Sequence, residues 1–337
     1  MECLGDVDSI KIGIMPCVLM HDPLDCVKRA PVLEEAGFDD LWEADHFLPF
    51  HHTNAHCANC AVTLEAYLSA TKRVTCGSMV TCPTIRFHPA EVALTYATLA
   101  LYHPGRVALA LGAGEAINEK ACTGIWPSPK ERVERLEEAV RLIKKCWTAT
   151  DYFTFNGKFY KTKFFLYDKP KKPIPLYIAA EGLKMARIAG KYGDGIISYS
   201  PPERIKDIIL PEFDKAAKEA GKDPATLERI AFVGAFSYHP DIDKAIEIPK
   251  RYAGTMIDPK WVDIEDPRIF ESQSLALKDY SKFTESALIA TTAEVVIERI
   301  EKYIEIGFNH IILEETSYDP WLTPKIFKEK ILPHFKD

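Results

Sequence analysis

Short, continuous apolar runs alternate along the chain with longer stretches whose apolar positions recur every three to four residues. The runs predict strands over 10–15, 38–43, 74–80, 107–111, 175–179, 195–198, 230–238 and 310–314. The periodic stretches predict helices over 23–36, 62–70, 89–101, 129–147, 202–220, 241–253, 292–306 and 324–331, with another ending at Tyr192. Punctuation supports these bounds. Asp22 is a candidate N-cap and Gly37 a stop for the first helix, and Pro89 opens the third. Alternating aromatics around Asn156-Gly157 predict a hairpin over 153–160, whereas 255–290 reads as irregular.

None of the eight apolar runs shows the period-two pattern of a half-exposed sheet. Buried strands in regular alternation with helices predict a closed (β/α)8 barrel, with a doubly wound open sheet as the alternative. No linker or repeat divides the chain. It reads as one domain over 1–337, with insertions near 47–60, 113–128, 150–173 and 255–290.

Composition narrows the partners. The 337 residues are 47% hydrophobic and 27% charged, an ordinary globular balance. With a net charge of −7 and no basic stripe, nucleic acid is excluded as the expected partner. No apolar run reaches membrane-spanning length, and no signal-peptide core opens the chain. The nine scattered cysteines read as reduced thiols of a cytoplasmic protein. The loop 51–60 holds His51, His52, His56, Cys57 and Cys60, but no second Cys-x-x-Cys completes a zinc set, so a polar substrate-facing loop is the expectation and no metal is assigned.

In a barrel of this kind, chemistry collects at the C-terminal strand ends. Asp45 and His46 follow the second run, Met79 and Val80 close the third, Gly112 to Glu115 follow the fourth, and Ala179 to Gly182 the fifth. A histidine and a glutamate meeting there suit proton transfer. The plainer alternatives are a loop-anchoring His46 and a Glu115 that merely starts a helix. Gly-x-Gly-x-x-Gly, Walker A, Gly-x-Ser-x-Gly and His-Glu-x-x-His motifs are all absent.

Several stretches together resemble one family. They are Ala44-Asp45-His46-Phe47, Thr81-Cys82-Pro83-Thr84-Ile85-Arg86-Phe87-His88-Pro89, Tyr102-His103-Pro104-Gly105-Arg106-Val107, Gly112-Ala113-Gly114-Glu115-Ala116-Ile117-Asn118-Glu119, Gly124-Ile125-Trp126-Pro127, Pro175-Leu176-Tyr177-Ile178-Ala179-Ala180-Glu181-Gly182 and Gly307-Phe308-Asn309-His310. In this order, over nearly the whole chain, they are similar to the luciferase-like flavin and deazaflavin oxidoreductases. Among these, the chain most resembles the enzymes that use coenzyme F420, a deazaflavin. Their two nearest branches act on glucose-6-phosphate and on secondary alcohols.

The resemblance implies a barrel, usually dimeric, and assigns roles by position. Met79-Val80 matches a non-proline cis peptide behind the deazaflavin ring. Asp45, Thr81 and Asn118 match residues at the ring edge, and Gly112, Ala113 and Gly114 match the stretch the ring approaches. Ala179, Ala180, Glu181 and Gly182 match the coenzyme-phosphate backbone. His46 matches the base that takes the substrate hydroxyl proton, and Glu115 the acid.

Three departures fall in the implied substrate pocket. Phe50 stands where the family has a tryptophan, so one hydrogen-bond donor is missing. Leu19 falls near a family glutamate. The sugar-phosphate branch's cations are mostly replaced, by Ser200-Pro201-Pro202, by Ser286 and by Trp261, with Lys260 adjacent. A small secondary alcohol is therefore the expected substrate. The alternatives are a sugar phosphate bound through Lys260, Lys278 or Lys282, hydride transfer to a methylenetetrahydromethanopterin-like compound, a flavin mononucleotide monooxygenase, and a non-catalytic coenzyme carrier.

Overall fold

The computed structural model describes residues 10–256 and 260–336. Eight parallel strands close on themselves: β1 (Lys11–Met15), β2 (Asp40–Glu43), β3 (Thr75–Ser78), β4 (Val107–Leu111), β5 (Leu176–Ala179), β6 (Gly195–Ser198), β7 (Glu228–Tyr238) and β8 (His310–Glu315). β7 pairs with both β6 and β8, and β8 pairs with β1, so the barrel has no free edge. The expected (β/α)8 architecture is the observed one.

Alternation along each strand separates two apolar layers. Ile12, Ile14, Leu109, Leu111, Ile311 and Leu313 face the surrounding helices. Met15, Trp42, Ala108, Ala110, Tyr177, Ile197, Ile230 and Ile312 fill the lumen. The helix Pro23–Ala36 begins where Asp22 accepts the N–H groups of Leu24 and Asp25, and ends at left-handed Gly37 (φ 107°).

Several details differ from expectation: the helix expected over 324–331 carries a π turn, Phe327–Ile331, an unexpected helix spans Ala116–Thr123, and four more follow. The hairpin pairs Phe153–Asn156 with Lys161–Phe164, so its turn spans 157–160 rather than closing at Asn156-Gly157. The cause is Glu138, whose carboxylate accepts the N–H groups of Lys158, Phe159 and Tyr160 and pins the turn. The helix expected over 202–220 widens into a π turn at Ile205–Ile209, just before Pro211, which has no N–H to donate. The helix expected over 241–253 stops at Glu247 and continues as a 3-10 turn, Pro249–Met256, because proline disfavours helix in the residue before it. Finally, 255–290 is not irregular throughout. It carries helices Pro267–Ala276 and Ser281–Ser286 and a short strand, Leu288–Ala290, on the outer half of β7.

The barrel floor is polar. His310 opens β8 with Nε2 2.9 Å from Asp40 Oδ2 and Nδ1 3.1 Å from Glu228 Oε2. Lys11 and the Tyr177 hydroxyl also bond Glu228, and the Trp42 indole N–H bonds Asp40. Burial alone would push the imidazole down, but the two carboxylates override it and hold His310 up at about 9. The stabilisation this brings is complete below 6.5, the ordinary imidazole value, and is lost as pH rises through about 9. His310→Gln should therefore cost on the order of 3 kcal/mol at pH 6, and the gap to wild type should narrow by pH 9.5. Thermal unfolding of both proteins across that range checks this. A gap independent of pH would count against it.

Candidate active site

His46 stands just past β2, and its Nδ1–H donates to the Leu48 carbonyl at 2.9 Å. That bond leaves Nε2 as the lone-pair nitrogen, 3.5 Å from Glu115 Oε2. The edge of Phe50 packs on the imidazole at 4.7 Å between centroids, and Phe50 in turn meets Tyr252, Trp261 and Phe270. Burial, with a further push from Arg86, takes His46 down to about 4. The imidazole is neutral at pH 7.

Glu115 follows the Gly-rich end of β4 and precedes the short helix Ala116–Thr123. Its side chain makes no capping bond, so the helix-start role does not occupy it. Burial raises its carboxyl to about 8, and the nearby carboxylates of Glu119 and Glu314 add to the rise. One acid held protonated beside one base held neutral is the pattern of an acid–base pair.

The expected ring-edge residues hold one another. Asp45 accepts from the Thr81 hydroxyl at 2.6 Å and from Arg86 at 2.9 Å. Asn118 accepts from the Phe47 N–H at 2.9 Å and donates to Glu115 Oε2 at 3.3 Å. It thereby ties the His46 loop to the acid. The Met79-Val80 peptide is cis. Gly112 packs against it, since a Cβ there would lie 2.6 Å from Val80 Cγ2. Gly114 (φ 85°) would likewise bring a Cβ to 2.7 Å from Cys82 Sγ, and Ala113 between them is half-buried.

The strand-five end divides. The half-buried Ala179 closes β5, and the Ala180 N–H is taken by the Ile197 carbonyl at 2.8 Å. Glu181 is held by Ser198, by the Tyr199 N–H and by Ser200. Gly182 caps the helix Leu183–Tyr192 with no side-chain bond, and a Cβ there would meet nothing within 4 Å. The open backbone expected over 179–182 is thus confined to Gly182 and the turn after it.

Of the three substrate-pocket positions, Phe50 lies against His46. Leu19 is buried in the luminal apolar layer beside Met15 and Met20. Lys260 is exposed, ahead of the short turn Trp261–Asp263. In the His- and Cys-bearing loop, Cys57 is exposed, while Cys60 is buried with its thiol on the Glu43 carbonyl. Among the described residues, no three His, Cys, Asp or Glu side chains converge as metal ligands, and no helix is long and apolar enough to cross a membrane.

Arg86, Glu119 and Glu314 were not singled out from the sequence. Arg86 spans the Asp45 carbonyl and carboxylate and lies 3.5 Å from Glu119 Oε1. Both belong to quoted motifs, yet an arginine and a glutamate far apart in sequence give no sign that they pair. Alternation inside β8 could have pointed Glu314 into the lumen.

Family comparison fits this geometry. The luciferase-like monooxygenase family matches residues 18–310. The chain belongs to that family. Among luciferase-like relatives, the F420-dependent glucose-6-phosphate dehydrogenase of Microbacterium testaceum is 33% identical over 332 residues, covering 97% of this chain and 98% of that protein. The enzyme of the same name from Kribbella flavida is 34% identical over 330 residues, covering 96% and 98%. Among solved luciferase-like structures, an F420-dependent secondary alcohol dehydrogenase in complex with an F420-acetone adduct superposes with a TM-score of 0.93. It is 37% identical and covers 98% of this chain and 100% of that one.

Proposed function

We propose that the protein is an F420-dependent dehydrogenase that oxidises a small secondary alcohol, or runs the reverse reduction. The observation that carries this is the pairing of neutral His46 Nε2 with protonated Glu115 Oε2 at 3.5 Å, at the mouth of a barrel similar to one that binds an F420-acetone adduct.

The residues present fit the coenzyme. Gly182 leaves the start of a ten-residue helix uncapped and unobstructed, which suits a phosphate. The glycines at 112 and 114 keep the end of β4 compact against Val80 and Cys82. When bound, the deazaflavin supplies the carbon that accepts or returns the hydride. Everything else falls to side chains of this chain. Oxidation of a carbinol releases a proton from oxygen, and His46 Nε2 is the atom placed to take it. The Leu48 carbonyl holds the ring in that tautomer. Glu115 keeps a proton at Oε2, and Asn118 aims it. Phe50 and the rings behind it exclude water from the imidazole.

The curated relatives named for glucose-6-phosphate favour a second reading. Against it, the Glu115 carboxyl lies beside His46, and Phe50 packs there with Tyr252, Trp261 and Phe270, a poor setting for a phosphate dianion. This reading also takes the protein as a homodimer, as the resemblance implies, and as cytoplasmic, as its scattered cysteines suggest.

Titration should show F420 binding at least about tenfold more tightly than flavin mononucleotide. Propan-2-ol should reduce bound F420, while glucose-6-phosphate should give no rate above background. A preference for the flavin would sink the reading, and efficient sugar-phosphate turnover would replace its substrate.

A further inference from the structure

We infer that Arg86 is a positioning residue for the proton-transfer pair: one guanidinium ties the loop that carries His46 to the helix that follows Glu115, and sets both their spacing and the charge around them. This rests on the dehydrogenase reading above.

Three strand ends meet at this side chain. Arg86 lies in the turn between Thr81, past β3, and the helix Pro89–Tyr102, with 9% of its side chain exposed. Its Nη2 donates to the Asp45 carbonyl and to Asp45 Oδ1, both at 2.9 Å, past β2. Its Nε lies 3.5 Å from Glu119 Oε1, past β4, and its own backbone N–H donates to Glu119 Oε2 at 2.6 Å. The guanidinium carbon stands 4.4 Å from the centre of the Phe87 ring. Asp45 immediately precedes His46. Glu119 is one turn beyond Glu115, and its N–H donates to the Glu115 carbonyl at 2.9 Å. A second tie, from the Phe47 N–H to Asn118 Oδ1, holds the other side of His46. The imidazole is thus fixed through both chain neighbours against the helix that sets Glu115. A planar fork reaches carboxylates on two elements at once, whereas an ammonium is a single point.

Charge makes the same link. Asp45 and Glu119 are both buried, and both lean on this one cation. Burial raises Glu119 to about 7, against the pull of Arg86. Arg86 adds to the burial that lowers His46, and an ionised Glu119 adds to the burial that raises Glu115. The guanidinium therefore holds the base low directly, and holds the acid high by keeping Glu119 ionised. Glu314 faces Glu115 as well. The other groups facing this cluster, the thiols of Cys57, Cys60 and Cys82 and the Tyr199 phenol, are pushed up by burial and stay neutral.

A packing role alone, filling the turn beside Phe87, would slow the enzyme without moving its pH limits. Arg86→Met should do both. Without the guanidinium His46 rises, and Glu119 stays protonated, so Glu115 falls. The bell for single-turnover reduction of F420 by propan-2-ol should narrow from both sides, by about one unit each. NMR of the His46 imidazole in coenzyme-free protein should show the same upward move from about 4. Arg86→Lys keeps the charge and loses the fork, so its limbs should stay while its rate falls about tenfold. Glu119→Gln should lower the alkaline limb alone. Unchanged limbs and imidazole midpoint in Arg86→Met, or an unchanged alkaline limb in Glu119→Gln, overturn the inference. If Arg86→Met folds poorly, the other two variants decide, since the inference requires the limb to fall in one and the rate in the other. A wild type that reduces F420 with no alcohol sinks the dehydrogenase reading instead, and the NMR midpoints still read the hold of Arg86 on His46.

Discussion

His46→Ala should lower the rate of coenzyme reduction about 10²–10⁴-fold, the usual worth of a general acid–base group, while coenzyme affinity holds. The imidazole makes no bond that the fold needs beyond its own Nδ1–H to Leu48. Its Nε2 lies 3.5 Å from Glu115 Oε2, so a substrate oxygen set beside the pair, rather than between them, comes within hydrogen-bond reach of both. Removing the ring removes an acceptor that matters only while a proton is leaving oxygen. The loss should therefore appear in kcat and kcat/KM alike. Single-turnover absorbance of the coenzyme reads the chemical step directly. A His46→Ala enzyme with wild-type single-turnover rates would strip the base of its role.

Glu115→Gln should cost about 10²-fold and also change the shape of the pH profile. The wild-type rate should be bell-shaped, falling below about 4 as His46 takes a proton and above about 8 as Glu115 loses one. Glutamine fits the same space and keeps a donor, but it cannot exchange a proton. Its alkaline limb near 8 should vanish while the acid limb stays. Because the two groups serve one transfer, the double variant should be far less impaired than the product of the single losses. An alkaline limb that survives in Glu115→Gln would assign it to another group.

The barrel was legible because each strand is buried on both faces and so reads as an unbroken apolar run, as in Val107–Leu111. His46 and Glu115 were legible because strand ends in a closed barrel point to one mouth. Other features depend on partners remote in sequence. The hairpin turn is set by Glu138, a surface-helix acid whose sequence context gives no hint of three backbone N–H groups ahead of it. Leu288–Ala290 is too short to stand out, and becomes a strand only because β7 outruns the barrel and offers it a ladder. Glu314 was counted as the last residue of a strand. Its inward side follows from alternation in β8, but the slip of the neighbouring strand β7 that puts the Ala235 N–H on its carboxyl leaves no local signal.

The polar floor also bears on the order in which this chain is made. Lys11, Asp40, Glu228 and His310 open four strands, and the imidazole that joins two of the carboxylates comes from the last strand synthesised. Until β8 emerges, β1 lacks one neighbour, β7 lacks another, and Asp40 and Glu228 have no shared cation. A nascent chain can build its first strand–helix units early, but it cannot seal the cylinder until its final strand is free of the ribosome. The seam between first and last strand is thus a completeness check. A ribosome-bound chain halted before His310 should remain protease-sensitive at β1, and the released full-length chain, with β8 free to pair along β1, should not.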